Sequence, residues 1–207
     1  MRRLGLAAWM TMSMLATTVS GMVYAASFYE GQHYKAVKQG QDSDPSQVEV
    51  VEFFMYSCPH CYHLETDALQ WKNNKAKAIN FRRVPVVFNP KFESHAQAYF
   101  TAEALGVLET IHPAMFHAFH EEGNYLESQA KIKALFIKYG VDADEFDKTY
   151  SSFAVKTKLR RAKAEAAKMR INSVPTLVVD GVYWTQVGMG GERNPFNVVD
   201  ALIEQRQ

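Results

Sequence analysis

The chain has 207 residues, 47% of them hydrophobic, with 23 basic and 22 acidic side chains and a formal net charge of +1. That length suits one domain, or one domain carrying a large insertion. The charge balance gives no footing for nucleic acid or an anionic membrane surface as a partner, and no repeat, low-complexity tract or disordered-looking linker is present.

Residues 1–25 read as a secretory signal: Arg2 and Arg3 supply the charge, Leu4 to Val19 an apolar run, and Val23-Tyr24-Ala25 a small-residue cleavage motif. A membrane anchor is the competing reading, but the run is short, broken by Thr and Ser, and followed by no stop-transfer charges. Cleavage is expected after Ala25, with Ala26 as the alternative; it leaves 182 residues with 21 basic and 22 acidic side chains. The absence of any Asn-x-Ser/Thr acceptor favours a bacterial exterior compartment over a eukaryotic one.

Residues 47–56, Gln-Val-Glu-Val-Val-Glu-Phe-Phe-Met-Tyr, form a mostly apolar run of strand length and predict a buried central strand interrupted only by its glutamates. Pro59 then stands where a helix accepts proline, in its first turn, and Tyr62, Leu64, Ala68, Leu69 and Trp71 recur with helical spacing. A second strand is expected over Ile79 to Phe88, punctured by Pro85. From 94 to 169 helical periodicity dominates: Ser94 is expected to cap a helix ending at Gly106, Ser128 one ending at Gly140, and Asp142 with Glu145 resembles a capping box. This span reads as an insertion of about four helices. Strand character returns at Val174 to Trp184, with a hairpin turn at Asp180-Gly181, and a last helix over Asn194 to Gln205 buries Val198, Val199, Leu202 and Ile203. Strand, helix, strand, helices, hairpin, helix makes a mixed α/β fold.

Cys58-Pro59-His60-Cys61 holds the only two cysteines of the chain. So small a loop constrains an unfolded chain least, which makes a structural staple a poor explanation. At a strand-to-helix junction the unpaired backbone N–H groups and the helix dipole converge on Cys58 and favour its thiolate. Cys58 is therefore expected to be the acidic, attackable sulfur and Cys61 the buried, resolving one. His60 adds a nearby imidazole that lowers the Cys58 pKa further. Each pKa unit is worth about 1.4 kcal/mol, or about 30 mV in a two-electron couple, in favour of the reduced form. The disulfide is thus expected to be an oxidant.

The run Val51-Glu52-Phe53-Phe54-Met55-Tyr56-Ser57-Cys58-Pro59-His60-Cys61-Tyr62, followed much later by Val174-Pro175-Thr176, resembles the DsbA family of periplasmic thiol:disulfide oxidoreductases. The resemblance implies a thioredoxin fold with a helical domain inserted between its two halves: residues 26–92 and 170–207 for the thioredoxin-like part, 93–169 for the insertion. It implies a cis Val174-Pro175 bond facing the disulfide, where Val174 and Pro175 offer backbone groups to an extended substrate peptide. It also matches Glu52 to a buried acid beneath the active site that relays a proton to or from Cys61; a glutamate reaching solvent at a strand edge is the alternative. The family often places a basic partner near that acid, and the sequence does not choose between Arg82 and Arg83.

Catalysis is thus expected from Cys58, Cys61, His60, Pro59 and Glu52, with substrate held at Val174 and Pro175. No cofactor is expected beyond the redox-active disulfide, and no metal, since His112, His117, His120 and His63 have no second cysteine pair to complete a zinc site. The expected partners are exported proteins with free cysteines and a DsbB-type membrane quinone reductase as reoxidant, in the periplasm. A disulfide isomerase or reductase built on the same site, a non-redox thioredoxin-like isomerase or transferase, and a structural module are the alternatives.

Overall fold

The computed structural model of the protein describes residues 27–37, 47–75 and 79–205; the expected signal at 1–25 lies outside them. A five-stranded mixed sheet forms from β1 (Lys35–Ala36), β2 (Val48–Phe54), β3 (Ile79–Pro85), β4 (Thr176–Val179) and β5 (Tyr183–Gln186), in the order β1-β5-β4-β2-β3. β2 lies inside the sheet, parallel to β3 and antiparallel to β4. Its run of valines and phenylalanines, flanked by two strands, is buried from Val50 to Phe54. Alternation sends Val50 and Glu52, with Leu177 and Val179 of β4, to one side, and Val51 and Phe53, with Val178, to the other.

Helix α1 (Pro59–Lys75) follows β2 directly, and proline opens it because its missing N–H would be unpaired there in any case. It turns Leu64, Ala68 and Trp71 into a cluster with Val50, Leu177, Val179 and the final helix α7 (Phe196–Glu204). The Trp71 and Phe196 rings stack at 4.8 Å, and the Trp71 indole donates to Asp200 Oδ1 at 2.9 Å. Leu69, expected on this apolar face, is 47% exposed instead: it sits one position beyond the buried stripe.

Between β3 and β4 come five helices, one more than the periodicity predicted: α2 (Glu93–Ala104), α3 (Leu108–His120), α4 (Gln129–Lys138), α5 (Ala143–Tyr150) and α6 (Phe153–Lys168). The Ser128 and Asp142 caps form as expected; Ser128 Oγ accepts from Lys131 N, and Asp142 Oδ1 from the amides of Asp144 and Glu145. Ser94 is not a cap. A 3₁₀ turn over Pro90–Phe92, capped by Asn89 Oδ1 accepting from Lys91 N at 3.0 Å, leads into α2 and carries Ser94 past its start. The hairpin turns at Asp180-Gly181 with φ of 49° and 63°, and the Val182 amide closes onto Val179 O at 2.9 Å. Strand β3 stops at Pro85, earlier than expected. The two-residue β1, which pairs with β5, had no signal in the sequence.

Candidate active site

Cys58 occupies the junction between β2 and α1. Its amide donates to Met55 O at 3.1 Å, and its carbonyl accepts the helix's first bond, from Tyr62 N, at 3.1 Å. Both cysteines are free thiols, with Cys58 half-buried and Cys61 fully buried. Cys58 is held at about 6, well below the ordinary thiol range. The largest cause is the hydrogen bond from the Cys61 thiol; partial burial opposes it, and the Cys61 and His60 backbone amides and the His60 charge then add to it in turn. The exposed His60 imidazole is thus the smallest of these contributors. Cys61 shifts the other way: burial pushes its thiol far up, and the neighbouring Cys58 and Glu52 charges push it further.

The Val174-Pro175 bond is cis, and Val174 O lies 3.5 Å from Cys58 Sγ although 116 residues separate them. The turn is pinned from below. The Thr176 hydroxyl donates to Ser173 O at 2.8 Å, and the Gln186 amide donates to Thr176 Oγ1 at 2.8 Å and to Ser173 Oγ.

Glu52 is fully buried, because β2 is interior to the sheet and not at its edge. The parallel register sets it opposite Arg83, whose Nε donates to Glu52 Oε2 at 2.9 Å; Glu52 Oε1 has no hydrogen-bond partner among the described residues. Burial raises the Glu52 carboxyl to about 7, against the lowering effect of Arg83, and the Glu65 charge adds to the rise. Arg82, one position earlier on β3, points to the opposite side and pairs with Glu49 at 2.8 Å and Glu165 at 2.6 Å. The basic partner left open by the sequence is therefore Arg83.

This geometry is that of a dithiol exchange centre, and the comparisons agree. Residues 70–202 match the family model described as a DSBA-like thioredoxin domain, starting beyond the cysteine pair. The thiol:disulfide interchange protein DsbA of Azotobacter vinelandii is 39% identical over 166 residues, 80% of this chain and 78% of the relative. The chain belongs to the DsbA family.

It is accordingly a thiol:disulfide oxidoreductase with a thioredoxin fold. The crystal structure of DsbA from Pseudomonas aeruginosa superimposes with a TM-score of 0.80 at 34% identity, covering 86% of this chain and 94% of that one. A DsbA variant from Proteus mirabilis, solved with the non-covalently bound peptide PWATCDS, reaches 0.72 at 26% identity over 87% of this chain and 99% of that one.

Around the DsbA-type motif the structure brings Cys58, Cys61, Val174 and Pro175 together, places Glu52 behind them, and leaves Pro59 and His60 exposed on the outer face. It also gathers residues outside the expected site, among them His112, which the sequence offers only as a metal candidate. Glu65, one turn after Cys61, accepts from Arg83 Nη2 at 3.2 Å; His112 Nε2 lies 3.2 Å from the other Glu65 oxygen, and His112 Nδ1 lies 2.8 Å from the Tyr56 hydroxyl. Only Glu65 left a signal, as an acid four positions beyond Cys61 on the same helix face. The three histidines of α3 have separate partners: His117 faces Glu122, and His120 Nε2 donates to Tyr56 O at 2.8 Å.

Proposed function

We propose that this protein is an exported, periplasmic dithiol oxidase that donates its Cys58-Cys61 disulfide to exported proteins. The observation that carries this reading is the unlike setting of the two thiols, Cys58 half-buried at the helix start 3.5 Å from Val174 O and Cys61 fully enclosed one turn on, which draws the Cys58 midpoint down to about 6 and pushes that of Cys61 far up. A substrate thiolate attacks Cys58 Sγ; the Cys58-Cys61 bond breaks, and its electron pair goes to Cys61. A sulfur of such high proton affinity leaves readily only if it takes a proton, and Glu52, poised near 7 behind it, supplies one. The substrate's second thiolate then attacks the substrate sulfur of the mixed disulfide, and Cys58 departs as the stabilised thiolate. The substrate dithiol has become a disulfide, and the enzyme holds two more electrons and the proton on Cys61.

Val174 O, 3.5 Å from the attacked sulfur, would accept an amide hydrogen from an extended peptide; the Proteus mirabilis relative was solved with such a cysteine-containing peptide bound. The dithiol itself carries the electrons, so no bound cofactor is required, and a DsbB-type membrane quinone reductase would accept them. Export rests on the signal-like residues 1–25; among the described residues no helix is long and apolar enough to cross a membrane.

Replacing Cys61 with Ala tests the reading. Without a resolving thiol, Cys58 should accumulate in mixed disulfides with exported proteins, seen as reductant-sensitive bands on gels. A variant that collects no such adducts in cells would remove exported proteins as the substrate class.

A further inference from the structure

His112 belongs to the inserted helices, yet its two ring nitrogens meet the redox centre from opposite directions. Nδ1 faces the Tyr56 hydroxyl, two residues before Cys58, at 2.8 Å, and Nε2 faces Glu65 at 3.2 Å. Burial keeps the ring neutral and the Tyr56 phenol protonated, so Tyr56 donates to Nδ1 and the Nε2–H donates to Glu65. One neutral tautomer satisfies both contacts. The rings of Phe54, Tyr56, Tyr99 and Phe116 enclose the imidazole at centroid distances of 5.1 to 5.7 Å, which fixes its orientation.

Arg83 serves two carboxylates, through Nε to Glu52 and through Nη2 to Glu65. A guanidinium shared in this way is divided according to what else each acid has. Among the described residues Glu52 has no other donor, its second oxygen being buried without a partner; Glu65 has His112.

We propose that His112 is a positioning residue for the thiol–disulfide exchange: by satisfying Glu65 from the inserted helices, it leaves the Arg83 guanidinium to Glu52. The charged and titratable groups around this pair are Arg83 from β3, Glu65, Cys61 and Lys72 from α1, Tyr56 from the end of β2, Tyr99 from α2, and Glu109 on α3 itself. Without the Nε2–H, the half-buried Glu65 draws Arg83 toward itself, and Glu52 holds its proton to higher pH. The inserted helices thereby set the pH at which the buried acid can exchange its proton with Cys61. The inference rests on the proton-supplying role of Glu52 proposed above.

The test is a carbon-13 NMR titration of the Glu52 carboxyl in the full-length reduced protein, assigned with Glu52→Gln. His112→Phe fills the aromatic cage without either hydrogen bond and should raise the Glu52 midpoint by about half a pH unit or more. His112→Gln, whose amide can still donate to Glu65, should restore part of that shift. Glu65→Gln should move the midpoint the other way, because it removes a competing charge and frees Arg83. An unchanged midpoint in folded His112→Phe overturns the proposal; should that variant fail to fold, an unchanged or raised midpoint in Glu65→Gln overturns it. Glu52→Gln separately tests the underlying role: a pH profile of peptide oxidation identical to the parent's removes Glu52 from the reaction, and His112's part in it, whatever the midpoints show.

Discussion

Cys58 and Cys61 are the same chemical group one helical turn apart, and their environments separate them. Cys58 receives the Cys61 S–H and two backbone amides at the helix start, whereas Cys61 is enclosed and faces negative charge. The ranking of causes yields a prediction: Cys61→Ala should raise the Cys58 midpoint, read by alkylation rate against pH, more than His60→Ala does. The opposite order would make the imidazole the main control. A stability effect follows with a definite sign. The folded Cys58 midpoint, about 6, lies below the ordinary 9.0, so the reduced protein gains stability as pH rises through that window and loses it as pH falls through about 6. The melting temperature of the reduced form, relative to the oxidised form, should therefore climb between those pH values; Cys58→Ala, which cannot form the disulfide, should lack the part of the reduced protein's own climb that the parent shows over this window. At this scale the motif was fully legible, because all four residues are consecutive. His112 and Tyr56 were not, and Arg83 only as one of two candidates, since their roles depend on side chains brought in from other elements.

Strand pairing is what turns Glu52 from an ordinary acid into a buried one. Interior β2 removes it from water, and the parallel register with β3 supplies Arg83 as its side-chain donor. Arg83→Met leaves a fully buried carboxylate without its cation, and a broken buried pair costs about 3 kcal/mol or more when the remaining group is charged. The raised pKa gives the sign: Glu52 favours folding while protonated, so this variant should lose stability as pH rises through 7, in thermal melts at pH 6 and 8. Adding Glu52→Gln should remove most of that pH dependence. Helix starts and stops were legible where a side chain caps locally, as at Ser128, and Ser128→Ala should cost about 1 kcal/mol in urea unfolding. They were misread at Ser94, where the preceding Asn89-Pro90 turn takes over the cap, and at β1, where two residues carry too little pattern to register.

Across the whole molecule, one cluster of buried side chains runs from Val51, Phe53, Phe54 and Cys61 of the thioredoxin part through Ala98, Phe116, Phe136 and Leu159 of the inserted helices. A chain cored in this way should unfold in a single calorimetric transition, its van't Hoff and calorimetric enthalpies agreeing; two resolved transitions would show the insertion to be energetically separate. Order of elements and the α/β pattern were visible from periodicity, while the meeting of Cys58 with Val174 was implied only by the family resemblance, since composition and spacing are silent across 116 residues. That meeting, the stabilised Cys58 thiolate and the buried acid together support the proposed direction, a disulfide that takes electrons from client thiols. The direct measurement is the reduction potential of the Cys58-Cys61 couple, obtained by equilibration against glutathione buffers at pH 7. A potential well above the glutathione poise of about −220 to −260 mV is expected; a value near that of thioredoxin, about −270 mV, would contradict the oxidase assignment.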